Sequence, residues 1–141
     1  MQTTAAFAVV TTGTVIKTLL QLKPGATVVA KIVEWGISFD GSAAATPGKV
    51  ELIETDVAAT VTASVDADCF KLDGADQAVA SVAGLTMGTT ATGYTSSSEG
   101  TVTATRLFDC VLAPPTGPYV YQFPLGQEPV LVIGNACRIR V

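Results

Sequence analysis

Seven of the twelve carboxylates, Glu51, Glu54, Asp56, Asp66, Asp68, Asp73 and Asp76, fall in one stretch, with Lys71 as the only base among them. Paired carboxylates can do acid–base work, and clustered ones can hold a hard cation. The spacing favours neither chemistry. Asp66 and Asp68 followed by Asp73-Gly74 lack the D-x-D-x-D-G run and the twelfth-position Glu of a calcium loop, so the stretch reads as a solvated acidic loop. Nothing in the sequence sets Asp40 at a glycosidase distance from a second carboxylate. The chain has no histidine. That removes Ser-His-Asp and Cys-His nucleophiles, His-ligated zinc and the commonest general base near neutral pH. Gly36-Ile37-Ser38-Phe39 begins like a nucleophile elbow, but Asp40 stands where glycine is required. Cys69, Cys110 and Cys137 lie far apart with no C-x-x-C, which leaves no zinc or redox motif. They read as buried free thiols packing like small hydrophobes, in a reducing compartment. No catalytic, cofactor-binding or metal-ligating residue is assigned, and the expectation is a protein that is not an enzyme and carries no cofactor.

Other residues point to contact rather than catalysis. Tyr119, Tyr121 and Phe123 alternate beside Pro-rich turns and share one strand face, a composition that suits an interface. Arg138 and Arg140 flank Ile139 and would share a face, either solvated or reaching the acidic stretch of a second copy. Phe7 and Val9 lie in the apolar segment QTTAAFAVVTT, which is expected to add as a strand to another subunit. Trp35, the one tryptophan, is either a core residue or a platform for a sugar. Ser96-Ser97-Ser98-Glu99 matches a helix capping box, but Gly100 and a Thr/Val run follow it, so it reads as a polar loop.

The elements that must position these residues are strands. Charged residues make up only 14 % of 141 residues against a usual ~25 %. Ala, Thr and Val dominate, and 13 Gly with 7 Pro punctuate the chain. Val and Thr suit a pleated surface, and Gly and Pro mark the turns between strands. The net charge of −4 with eight scattered Lys and Arg disfavours nucleic acid. The uncharged run 77–98 is too rich in Gly, Ser and Thr for a membrane helix, and no targeting segment is visible.

Strands are expected in 14–22, 26–39, 49–55, 60–65, 101–112 and 119–123, with a short one at Cys69–Leu72. A final hairpin pairs 129–133 with 136–141 around Gly134-Asn135. In 26–39, Val33, Trp35, Ile37 and Phe39 share one face while Val28, Ala30 and Ile32 share the other, so either one half is buried on both sides or a bulge shifts the register. In 101–112, Phe108, Cys110 and Leu112 should face inward, and Arg106 should sit near an edge or pair with an acid. The organisation is an extended N-terminal arm, 1–12, and one all-β domain, 13–141. Two half-apolar sheets must bury their faces on each other, which gives an antiparallel sandwich or barrel.

The segments VEWGISFDGSAAATPGKVELIETD (33–56) and PPTGPYVYQFPLGQEPVLV (114–132), with the closing Arg138-Ile139-Arg140-Val141, resemble the small capsid decoration, or cement, proteins of tailed bacteriophages, often with actinobacterial hosts. The resemblance covers about a third of the chain and lies in turn and strand patterns. It implies a jelly-roll-like β-sandwich that forms a homotrimer on the outer capsid surface of the virion and clamps neighbouring subunits of the major capsid protein. It implies no active-site residues, nucleic acid or membrane. The family chains run on past this closing motif into another strand, so either this member is short, or its last strand pairs differently, or another subunit completes the sheet edge, since an exposed last strand would invite aggregation unless covered. Two other readings fit the same residues: a tail or head-fibre protein of a phage, and a carbohydrate-binding sandwich using Trp35 or the Tyr119/Tyr121 face.

Overall fold

The structure, a computed structural model, describes residues 2–3, 15–70 and 84–141. The arm, with Phe7 and Val9, lies outside the described residues apart from β1 (Gln2–Thr3), which pairs with β6 (Cys69–Phe70). Lys71, Asp73 and Asp76 also lie outside them.

The main sheet has six antiparallel strands in the order β5-β7-β2-β10-β4-β8. They are β2 (Thr18–Leu22), β4 (Gly48–Thr55), β5 (Thr60–Ala63), β7 (Gly93–Ser98), β8 (Thr105–Ala113) and β10 (Ala136–Arg140). A second sheet of two strands, β3 (Glu34–Ser38) and β9 (Pro118–Gln122), packs over it. The described residues contain no α-helix, only a 3-10 turn at Asp66–Asp68. The fold is all-β and sandwich-like.

Alternation builds the core. Val50 and Leu52 of β4, with Cys137 and Ile139 of β10, project from one face of the main sheet. Trp35, Ile37 and Tyr119 project from the thin sheet to meet them, with Ile32, Ala113 and Leu131 filling between. β4 is also apolar on its reverse face, where Ile53 is buried. A strand buried on both faces belongs inside a sheet, and β4 lies between β10 and β8.

Three expectations change. First, 129–133 does not form a hairpin with β10. It pairs instead with the chain around Lys31, through the bridge Lys31↔Val130 and the bonds Ile32 N–H to Pro129 O and Leu131 N–H to Ala30 O. β10 lies between β2 and β4, with both of its edges paired. Both rows of its backbone groups are therefore bonded within the chain, and of the alternatives for the closing motif the last strand is one that pairs differently and is not an open edge. Second, in β8 a bulge at Phe108 places Asp109 opposite Leu52 and Leu107 opposite Ile53. An inserted residue inverts the alternation beyond it. Asp109, Val111 and Ala113 therefore face the core side, while Cys110 and Leu112 point to solvent, Leu112 with 70 % exposure. Third, of the two thiols described, only Cys137 is buried. The register shift expected in 26–39 falls between Ile32 and Trp35. Both are buried, and Val33 and Glu34 between them are exposed.

Where β4 and β8 leave the main sheet, Asp56 ties the two departing chains together. Its carboxylate accepts bonds from the Thr103 hydroxyl and from the N–H groups of Thr103 and Ala104. The Thr103 hydroxyl is the largest influence, and together these donors hold the Asp56 carboxyl down at about 2. A carboxyl depressed by native contacts stabilises the fold above its unfolded value, and that contribution is lost as the pH falls through the folded value. The Asp56→Ala variant should therefore melt below wild type at pH 5–7. The gap should close as the pH falls from about 3.8 to about 2, followed by thermal denaturation across that range.

Candidate functional site

The most conspicuous polar constellation among the described residues lies behind the core, on the reverse face of the main sheet. Arg138 is opposite Gln21 on β2 and Ile53 on β4, so the three share that face. Arg138 and Gln21 are both fully buried. Arg138 is matched by the two chain segments that cross this face, 56–59 and 99–104, and Gln21 by Ala59 and Ala91. One guanidinium nitrogen of Arg138, Nη2, donates to Val57 O, and the other, Nη1, donates to the Glu99 carbonyl at 3.1 Å and to its Oε2 at 3.2 Å. Gln21 donates to Ala59 O and Ala91 O and accepts from Ala59 N–H. Gly100 lets the two segments close on each other. Its φ is +70°, and a Cβ there would come within 3.2 Å of Ala58 O, so only glycine fits without strain.

Glu99 completes the cluster. Its carboxylate accepts from Thr18 N–H and the Thr18 hydroxyl, both at 2.6 Å, and from the Ser96 hydroxyl. Burial pushes its pKa up, but the bonds from Ser96 and Thr18 and the charge on Arg138 outweigh burial and hold it below the usual carboxylate value. Burial lowers the pKa of Arg138, and the charge of Glu99 opposes that. The cluster is a buried ion pair with neutral donors around it, and it offers no activated nucleophile.

Arg138 and Arg140 thus find their acids inside their own chain. Arg140 donates from Nε and Nη2 to Glu51 Oε2 at 3.0 and 2.9 Å, and Lys49 pairs with the same carboxylate. Burial would raise Glu51, but Lys49 and Arg140 together lower it. Arg106 meets its expected acid, Glu54, and lies over the Phe108 ring on the edge strand.

The aromatic residues divide. Trp35 is only 5 % exposed. Its indole N–H and the Tyr119 hydroxyl both donate to Asp109 Oδ2, at 3.0 and 2.8 Å. These bonds tie the thin sheet to the main one. Burial, followed by the bond to Asp109, raises the Tyr119 hydroxyl to about 12. The tryptophan is therefore a core residue and offers no stacking platform. Tyr121 lies at the rim, 38 % exposed, edge-on to Phe123 with ring centroids 5.0 Å apart. Tyr119 and Phe123 pack against the core.

The surface that stands out was not singled out in the sequence. Lys31 is opposite Val130, and alternation along the two segments leaves Val29, Lys31, Val33, Val130 and Val132 exposed while Ile32 and Leu131 between them are buried. The valines are all large exposed apolar residues, Val29 at 59 % and Val132 at 52 %. Exposed apolar side chains grouped on neighbouring segments suit a contact site. The alternation of 129–133 carried the signal, and the expected hairpin with β10 concealed it. Among the described residues no group of three or more His, Cys, Asp or Glu is placed to hold a metal ion, and no helix is long and apolar enough to cross a membrane. Comparison with protein-family models, curated proteins and solved structures finds no match to this chain.

Two outcomes follow from this geometry. Arg138→Ala leaves the Val57 carbonyl and the Glu99 carboxylate without their shared donor. It should cost about 3–5 kcal/mol, read as a lowered urea midpoint with an unchanged m-value. In the native protein a thiol reagent should modify Cys110 readily. Cys137, which burial and then the Glu54 charge push up to about 12, should react only on unfolding, as peptide mapping of the labelled sites would show.

Proposed function

We propose that this chain is a non-enzymatic structural protein of a phage virion, a capsid decoration protein. In this reading it is a jelly-roll-like sandwich that forms a homotrimer on the outer head surface and bridges subunits of the major capsid protein. The N-terminal arm, with Phe7 and Val9, adds a strand to a neighbouring subunit. The patterns in 33–56 and 114–132 suggest the family. The observation that supports a contact role most directly is the valine face formed by 28–33 and 129–132. A sandwich whose principal charged side chains, Arg138, Arg140 and Arg106, are paired within the chain leaves packing as its main means of contact. Several modest contacts of this kind, made at once by one oligomer, combine through high effective concentration into firm attachment.

Cryo-electron microscopy of virions tests the assignment. Density for the protein at threefold positions of the outer head supports it, and its presence only in the tail, or its absence from the particle, overturns it. In solution, light scattering should give the mass of three chains. The double variant Val29→Lys, Val132→Lys should keep the wild-type melting temperature, because both side chains point outward. It should lose trimer formation or head binding. A double variant that assembles and binds heads like wild type would remove the valine face from the account.

A further inference from the structure

We infer that the β5–β7 ribbon is a latched strap that opens as one unit while the rest of the sandwich stays folded, and that Glu99 is its latch. Four observations place the seam between β7 and β2. The ladder there is short, with only Leu20↔Tyr94 and Gln21↔Gly93 in register. It stops where both strands are irregular. β2 bulges against β10 at Leu19, and β7 bulges against β5 at Thr95.

Thr95 has φ +51° and is the one non-glycine residue with positive φ among the described residues. A β-branched residue in that region is strained and persists only where its surroundings impose it. Beyond the kink, side chains replace the missing ladder. The Thr18 N–H, which an uninterrupted sheet would direct to a backbone carbonyl, donates to Ser96 Oγ at 3.1 Å and Glu99 Oε1 at 2.6 Å.

The strap's attachments fall into three sets: a stalk, a far end, and the chain just before β7, where Thr86 N–H donates to Lys23 O, Lys23 N–H donates to Thr92 Oγ1 and Pro24 bridges Leu85. The stalk is tied at Asp56 to Thr103 and Ala104, next to the pair Thr55↔Thr105 that ends the β4–β8 ladder. The far end is held by Gln21, Arg138 and Glu99. None of these contacts belongs to the cluster of Trp35, Val50, Leu52 and Leu131 that joins the two sheets. Breaking the far set together with the bonds of Lys23 and Pro24 therefore releases β5 and β7 without opening the core. It relieves Thr95 and uncovers the β2 edge. The regions of a protein that open sub-globally are those held by few apolar contacts and separable from the main core.

Hydrogen exchange of the full chain, resolved to short peptides, tests this with three proteins. In wild type under sub-denaturing urea, peptides covering 60–63 and 93–98 should exchange faster than those of β4 and β10, with a smaller urea dependence. Glu99→Gln keeps the side-chain shape but removes the charge, and should speed exchange of the strap peptides by roughly tenfold or more. Val50→Ala weakens the core on the opposite face. It should accelerate β4, β8 and β10 and leave the strap peptides unchanged, because the strap opens without disturbing Val50. Equal acceleration of strap and core by Val50→Ala would mean that the strap opens only with global unfolding and would overturn the inference. An unchanged strap in Glu99→Gln would remove Glu99 as its latch. Should Glu99→Gln fail to fold, Thr95→Gly gives the reverse test: relief of the strained φ in the closed state should slow exchange of the strap peptides, and no slowing would count against the seam.

Discussion

A guanidinium with no exposure to water lies at the centre of the main sheet, and much of the structure is arranged around it. Arg138 occupies a middle position of β10, where a side chain has no route to solvent. A buried charge is costly unless it is paired and its hydrogen-bond donors are met. The chain meets most of this demand by folding 56–59 and 99–104 across the reverse face of the sheet, which delivers two carbonyls and one carboxylate to Nη1 and Nη2, while Nε is buried without a partner. Gln21, its neighbour across the ladder, holds Ala59 of the first segment and Ala91 of the chain before β7. The reverse face is thus sealed in part by a strap, without a third layer of sheet.

This asymmetry bears on function. On the core side only two strands, β3 and β9, form the covering sheet, and a thin layer needs anchoring. Asp109 supplies it by accepting from Trp35 and Tyr119 together, a position that exists only because the Phe108 bulge turns Asp109 inward. The remaining cover comes from the paired irregular segments around Lys31 and Val130. Their inward residues, Ile32 and Leu131, are buried, and their outward residues are mostly valine. Segments that close the core on one side thereby present apolar surface on the other, and the proposed contact role rests on that surface.

The strand content was legible in the sequence because Val, Thr and Gly/Pro punctuation set a two-residue period. β4 matches 49–55 to within one residue, and β2, β5 and β8 lie within or within one residue of expected segments. Faces were legible only where alternation was unbroken. In β8 a single inserted residue reversed the expected roles of Asp109, Cys110 and Leu112, and no local feature of TRLFDCVLA marks the bulge. Partner choice was less legible still. Gly134-Asn135 suggested a hairpin, but β10 finds partners at both edges in β2 and β4, and long-range pairing outweighed the local turn signal. Arg138 and Arg140 were visible as a pair on one face, and their acids were also visible. Which chain supplied those acids could not be read without the topology. Glu99 was set aside as part of a polar loop. Its isolation from other charges was the available sign of a buried partner, as was Gln21 within the apolar run TLLQL.

In the proposed role this protein acts by packing, through the exposed valines of its thin layer, while its buried ion pairs serve its own fold. Hydroxyl-radical footprinting of the protein assembled on phage heads, compared with the protein alone, addresses it directly. The account predicts strong protection of Val29, Val130 and Val132 on assembly, with Leu112 on the reverse face labelled equally in both states. Protection centred on Leu112, with the three valines still fully labelled, would contradict it.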